Sequence, residues 1–136
     1  MILFHPDVTL FFNQFMKEEK DNVILVKSYA FAVKITKLIL EIRKSQKEYD
    51  ITRQLLRSAT SIGANVEEAV GGFSKKDFIY KLQISFKEAR ESRYWIRILN
   101  DTDLIEQKTA EELLLEIDVL IKILTAILKT SKGSNY

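Results

Sequence analysis

The residues best suited to chemistry in this sequence are cations set at helical intervals around aromatic rings. Lys87, Arg90, Tyr94 and Arg97 are spaced 3, 4 and 3 apart, with Arg93 and Trp95 beside them, so a helix would align the four on one face. Lys27, Lys34, Lys37 and Lys44 repeat at 7, 3 and 7. Such stripes suit a phosphate backbone, because guanidinium and ammonium groups displace condensed counterions and a ring can stack on a base. The competing reading is an ordinary solvated face, its charge neutralised by Glu41, Glu88 and Glu91, with Trp95 serving the core. The acidic group Glu67, Glu68, Glu88 and Glu91 is the best candidate for acid–base work, and on a helix surface such side chains are expected to be solvated or paired with Arg90 or Arg93.

Other chemistries are excluded by what is missing. The chain has no cysteine and one histidine, His5, which removes thiolate metal sites, cysteine nucleophiles, disulfides and any site needing two histidines. A carboxylate-bridged metal site in a helical bundle requires Glu-x-x-His motifs that are absent here, and His5 does not complete the Arg-x-x-x-x-His motif of some helical nucleases. Gly71-Gly72 is not followed by the Gly-Lys-Ser/Thr of a phosphate-binding loop. No catalytic residue, metal or cofactor is expected. The composition suggests a binder or scaffold, not an enzyme.

The 21 basic and 19 acidic side chains nearly cancel, but residues 27–97 carry 15 basic and 8 acidic ones while both flanks are net acidic. The basic character is therefore concentrated in the middle, where the two stripes lie. No apolar run approaches the roughly 18 residues of a membrane span, since Glu116, Asp118, Lys122 and Lys129 interrupt the most apolar stretch. Asp7 falls where a signal peptide would be apolar. A cytoplasmic protein is expected.

The elements that must position these residues follow from periodicity. With 136 residues, 46% of them hydrophobic, one proline and four glycines, the chain fits one globular domain of long helices, without the turn density of an all-β fold. The first helix is expected from about Lys27 to Ser45, with Phe31, Ile35, Leu38 and Ile42 on one face and Ala32 and Ile39 beside them. The second is capped by Asp50 and runs to Val70, ending at Gly71-Gly72, where a left-handed residue is free of steric cost. Its stripe of Ile51, Leu55, Ala59, Ile62, Val66 and Ala69 faces the bundle, and Ala59 and Gly63 permit close contact with the next helix. Ser74 and Asp77 open the third, which reaches about Leu99 with Phe78, Leu82, Ser85, Ala89, Ser92, Ile96 and Leu99 inward at strict 4, 3 spacing. Thr109 and Glu112 open or reinforce the fourth, which ends near Ser131. The fourth has two apolar seams, one of Ala110, Leu114, Ile117, Ile121, Leu124 and Leu128, the other of Leu113, Leu120 and Ile127. One can face the core and the other a neighbouring chain.

The expected fold is thus all-α, an antiparallel up-down-up-down four-helix bundle that is oligomeric, occupying residues 27–131. Residues 1–26, in which Phe11, Phe12 and Phe15 suggest a short amphipathic helix while Val23 to Val26 looks extended, form an arm that could dock, contact another copy or be a poorly ordered leader, and residues 132–136 a frayed tail. A second stripe on helix two, Gln54, Ser58, Ser61, Asn65 and Glu68, is entirely polar. It reads either as a solvated face or as a packed polar seam, within the protein or between subunits.

The run Gln54-Leu55-Leu56-Arg57-Ser58-Ala59-Thr60-Ser61-Ile62-Gly63-Ala64-Asn65-Val66-Glu67-Glu68-Ala69 resembles the bacterial four-helix bundle proteins encoded within intervening sequences of 23S ribosomal RNA genes. Lys27 to Val33, Ser74 to Ile79 and Lys87 to Trp95 resemble further blocks of that family, in order. The chain has Ala69 where many members have glycine. The resemblance implies an antiparallel four-helix bundle assembled as a homopentamer. It also implies kinship with the accessory protein of diversity-generating retroelements, a basic pentamer that partners a reverse transcriptase and binds nucleic acid. Self-association, structured RNA or DNA, and a reverse transcriptase or other RNA-processing protein are the partners so implied. A scaffold that meets nucleic acid only through such a partner is the alternative to direct binding.

Overall fold

A computed structural model describes residues 22–133, and these form four α-helices and no strand. Helix α1 spans Val23–Gln46, α2 Asp50–Val70, α3 Lys75–Asp101 and α4 Gln107–Gly133. His5, most of the proposed arm, including Phe11, Phe12 and Phe15, and the last three residues of the tail lie outside the described residues.

Local chemistry sets the helix ends. α1 begins four residues before the expected Lys27: the Asn22 side chain accepts from the Leu25 amide, and the apolar run Val23 to Val26 is helical, not extended. The start of α2 is held differently from the expectation too. Asp50 is its first residue, and the cap is the Glu48 carboxylate, which accepts from the amides of Asp50, Ile51 and Thr52 at 2.9, 2.7 and 2.9 Å. α2 ends without a left-handed glycine: Gly71 sits at φ −83° and no glycine has positive φ. Gly72 sits in a crowded turn instead: a Cβ there would lie 2.6 Å from Asp77 Oδ2, which would have to swing aside, and 3.1 Å from the Ala69 carbonyl oxygen. Ser74 caps α3 as expected, accepting from Asp77 N at 3.0 Å. α4 starts at Gln107, which puts Thr109 inside the helix and not at its cap.

Neighbours in sequence pack side by side, α2 against α3 most extensively and α1 against α4 least. α1 and α3 therefore stand at diagonal corners of the bundle. All seven inward residues expected on α3 are buried, as are Leu55, Ala59, Ile62, Val66 and Ala69 of α2. On α1 the core residues are Ile24, Phe31, Ile35, Ile39 and Ile42, with Leu38 only partly covered. On α4 the two expected seams are mixed: Ala110, Leu113, Ile117, Leu120, Leu124 and Leu128 are buried, while Leu114, Ile121 and Ile127 are partly covered. Ile105 anchors the α3–α4 connection against the core.

Candidate nucleic-acid interface

The outer face of α3 is directed away from the core by the residues that bury its inner face. With Phe78, Ser85, Ala89 and Ser92 inward, the helix turns Lys87, Arg90, Tyr94 and Arg97 into solvent, and Tyr94 is 53% exposed. Lys87, Arg90 and Arg97 form no ion pair with the described residues. The acids that could neutralise them are held elsewhere: Arg57 of α2 reaches across to Glu88 at 3.2 Å and also pairs with Glu91. Glu91 further accepts from the Trp95 ring N–H at 3.0 Å. One guanidinium on the flank thus withdraws two carboxylates from the stripe. The same spacing continues upstream through Gln83, Tyr80 and Lys76, in steps of 4, 3 and 4, and Tyr80 is 58% exposed.

The two residues beside the stripe have partners of their own. Arg93 bonds Asp118 of α4 through Nε at 2.9 Å. Trp95 is half-buried beside Glu91, with the Tyr94 ring edge-on to it at 5.0 Å and 73°. On α1, Lys27, Lys37 and Lys44 are exposed, and Lys34 is exposed and paired with Glu116 of α4. Because α1 and α3 are diagonal, these lysines and the α3 stripe line separate surfaces of one protomer.

Sequence spacing alone overlooked the contribution of α4. Its lysines Lys129 and Lys132 border a groove of about 510 Å³ whose other wall is Gln83, Phe86 and Lys87 of α3. The signal was present only as two lysines one turn apart, with nothing to say that their helix would lie beside Lys87.

The polar stripe of α2 divides. Ser58 is fully buried, accepts from the Ser92 hydroxyl at 2.9 Å and donates to the Leu55 carbonyl at 3.3 Å. Ser85 donates to the Ile62 carbonyl at 2.9 Å, so hydroxyls join α2 and α3 where the helices approach. Asn65 is nearly buried and donates to Ser61, at both the carbonyl and the hydroxyl. Gln54 and Glu68 are exposed, and Glu68 meets Lys81 at 3.6 Å. Gly63 faces α1, not α3: a Cβ there would touch Ser28 Oγ at 3.3 Å. Among the described residues no three carboxylates or histidines come together as metal ligands, and no helix is long and apolar enough to cross a membrane.

The α1–α4 side exposes apolar side chains among the lysines of α1. Val26, Tyr29, Val33 and Leu40 of α1 are exposed at 3, 4 and 7 spacing, and Leu115 and Val119 of α4 are 69% and 41% exposed. Between the two helices an open groove of about 400 Å³ has Phe31 and Leu120 in its lining, with Lys27 and Lys34 at its edge.

These features can be compared with known proteins. The family model described as 23S rRNA-intervening sequence protein matches residues 20–126. The chain belongs to that family. No curated protein matches the chain. A solved structure does match: a protein of unknown function from the S23 ribosomal protein family of Bacteroides thetaiotaomicron, with 41% identity over 79% of this chain and 99% of that one, at a TM-score of 0.77. The likeness thus extends over nearly all of that chain.

Proposed function

We propose that this member of the 23S rRNA-intervening sequence protein family is a non-enzymatic, cytoplasmic homo-oligomer, pentameric as the resemblance implies, that binds RNA or a ribonucleoprotein through basic helix faces. The observation that carries the reading is the outer face of α3: Lys87, Arg90 and Arg97 exposed beside Tyr94, with Glu88 and Glu91 drawn off by Arg57. A solvated face neutralised by its own acids would leave those carboxylates among the cations. Self-association is supported by the exposed apolar residues of α1 and α4, since contiguous apolar patches on a protein surface mark interaction sites. Repetition around a ring would multiply a modest patch into a strong field. It would also let Lys37 and Lys44 of one protomer act beside the α3 stripe of another, which a single bundle does not permit.

A titration against structured RNA and duplex DNA at several salt concentrations, with mass from light scattering in the same run, tests the reading. Binding is expected to weaken linearly on logarithmic axes as salt rises, with a slope that counts phosphates. Arg90→Glu with Arg97→Glu is expected to abolish binding while the thermal transition stays in place, because both side chains are exposed. Undiminished binding by that variant would sink the assignment of the α3 face. A well-formed oligomer that binds no nucleic acid would favour the second reading, a scaffold for a reverse transcriptase or RNA-processing protein, which the apolar α1–α4 side would equally serve.

A further inference from the structure

The stripe on α3 is longer and more regular than a phosphate-binding patch requires. Lys76, Tyr80, Gln83, Lys87, Arg90, Tyr94 and Arg97 follow one another at 4, 3, 4, 3, 4 and 3. All are exposed but Gln83, which is partly so. At 1.5 Å per residue the row is about 32 Å long, and Tyr80 and Tyr94 stand about 21 Å apart on it. Cations lie between and beyond the two rings, and none of Lys76, Lys87, Arg90 or Arg97 is ion-paired among the described residues. Lys129 and Lys132 add positive charge along one flank, across the groove lined by Gln83 and Phe86.

A duplex offers a protein phosphates and groove edges, with its bases stacked on each other and out of reach of a ring on a helix surface. Unpaired bases present their faces. Exposed tyrosines among unneutralised cations therefore match a strand whose bases are free to stack. We propose that the outer face of α3, from Lys76 to Arg97 with Lys129 and Lys132 of α4, takes a single-stranded stretch of nucleic acid, its bases stacked on Tyr80 and Tyr94 and its phosphates against the cations. This rests on the reading that α3 binds nucleic acid, and it specifies the class of ligand. The edge-on contact between Tyr94 and Trp95 supplies a local reporter, since Trp95 is the chain's single tryptophan.

The test is anisotropy with labelled oligouridylate, oligothymidylate and a blunt RNA duplex of equal length, at several salt concentrations, on the full chain. The proteins are wild type, Tyr80→Ala with Tyr94→Ala, Tyr80→Phe with Tyr94→Phe, and Lys129→Glu with Lys132→Glu. The single strands are expected to bind more tightly than the duplex, and the oligouridylate and oligothymidylate arms separate RNA from DNA. The double alanine variant should lose about tenfold in affinity per tyrosine with its salt slope unchanged, and the phenylalanine variant should keep its affinity. The lysine variant should flatten the salt slope by about 1 to 2. Trp95 emission should change on binding in the wild type and stay unchanged when Tyr94 is alanine. A duplex bound as tightly as the single strands, with no effect of the alanines, would overturn this inference while leaving α3 as a nucleic-acid surface. Equal losses in the alanine and phenylalanine variants would overturn the stacking role, and absence of binding by every probe would remove both readings.

Discussion

The α2–α3 interface and the α1–α4 seam are two solutions to the same packing problem. α2 and α3 bury several small residues, among them Ser58, Ala59, Ser85, Ala89 and Ser92, all fully buried. Three of them are hydroxyls, and every one finds a partner: Ser92 with Ser58, Ser58 with the Leu55 carbonyl, Ser85 with the Ile62 carbonyl. Short side chains let the helices come close, and closeness lets hydroxyls reach across, so burial of polar atoms leaves none unpaired among the described residues. Between α1 and α4 the side chains are larger, the contact is slight, and Leu115, Val119, Val26 and Leu40 remain in solvent. Complementary shape closes one interface, and surplus apolar surface keeps the other open for something else.

Substitutions can break that contrast, and the largest effect is expected at the closed interface. Ala59→Leu should overpack the fully buried α2 core position and cost about 1 to 3 kcal/mol in denaturant unfolding. A variant as stable as wild type would mean that the contact is looser than described. Next, Ser58→Ala strands the Ser92 hydroxyl without its acceptor, at a cost of about 1 to 2 kcal/mol, whereas Ser58→Ala with Ser92→Ala should cost less than the sum of the two singles. Additive losses in that cycle would show the pair to be uncoupled. At the open seam, Leu115→Ser with Val119→Ser should leave unfolding within about 0.5 kcal/mol when measured on monomer, while lowering the mass seen by light scattering. Unchanged mass would place self-association on another face.

The smallest effect sharpens the account of the helix ends. Slight burial acts to raise the Glu48 carboxyl, but hydrogen bonds from the amides of Ile51 and Thr52, the Thr52 hydroxyl and the Asp50 amide outweigh it and hold the group below its ordinary value of 4.5. A folded-state value below the unfolded one means that the cap contributes stability fully above the ordinary value, and that the contribution is lost as pH falls through the lowered one. Glu48→Ala should therefore melt earlier than wild type at neutral pH, and the gap should close in acid. A gap constant with pH would show that the charge of the cap contributes nothing.

How far the sequence revealed all this differs from helix to helix. α3 was legible throughout, because Phe78, Leu82, Ser85, Ala89, Ser92, Ile96 and Leu99 keep 4, 3 spacing while the cations Lys76, Lys87, Arg90 and Arg97 hold the opposite face. α4 was not, because nine apolar residues form two overlapping seams, and periodicity cannot choose between them when the choice is made by the neighbours. The core takes Leu113 and Leu120 from one seam and Ile117 and Leu124 from the other. α1 hid its first turn, since Val23-Ile24-Leu25-Val26 has the composition of a strand and is made helical by Asn22 and by burial of Ile24. At the candidate site, spacing identified Lys87, Arg90, Tyr94 and Arg97. It could not reveal that Arg93 would turn to Asp118, or that Arg57, 31 residues from Glu88 in sequence, would remove the acids expected to cancel the stripe. Those outcomes depend on which helices are adjacent.

The turn between α2 and α3 has a further consequence, for the order in which the molecule assembles. Gly71 to Ser74 is a four-residue connection between the two most extensively packed helices, so joining them closes a short loop at little entropic cost. Contacts close in sequence form early, which makes this hairpin the expected folding nucleus, with α1 and α4 docking afterwards on a template already built. Defects at Gly72 or Ser92 would accordingly slow refolding, while defects along α1 and α4 would hasten unfolding instead.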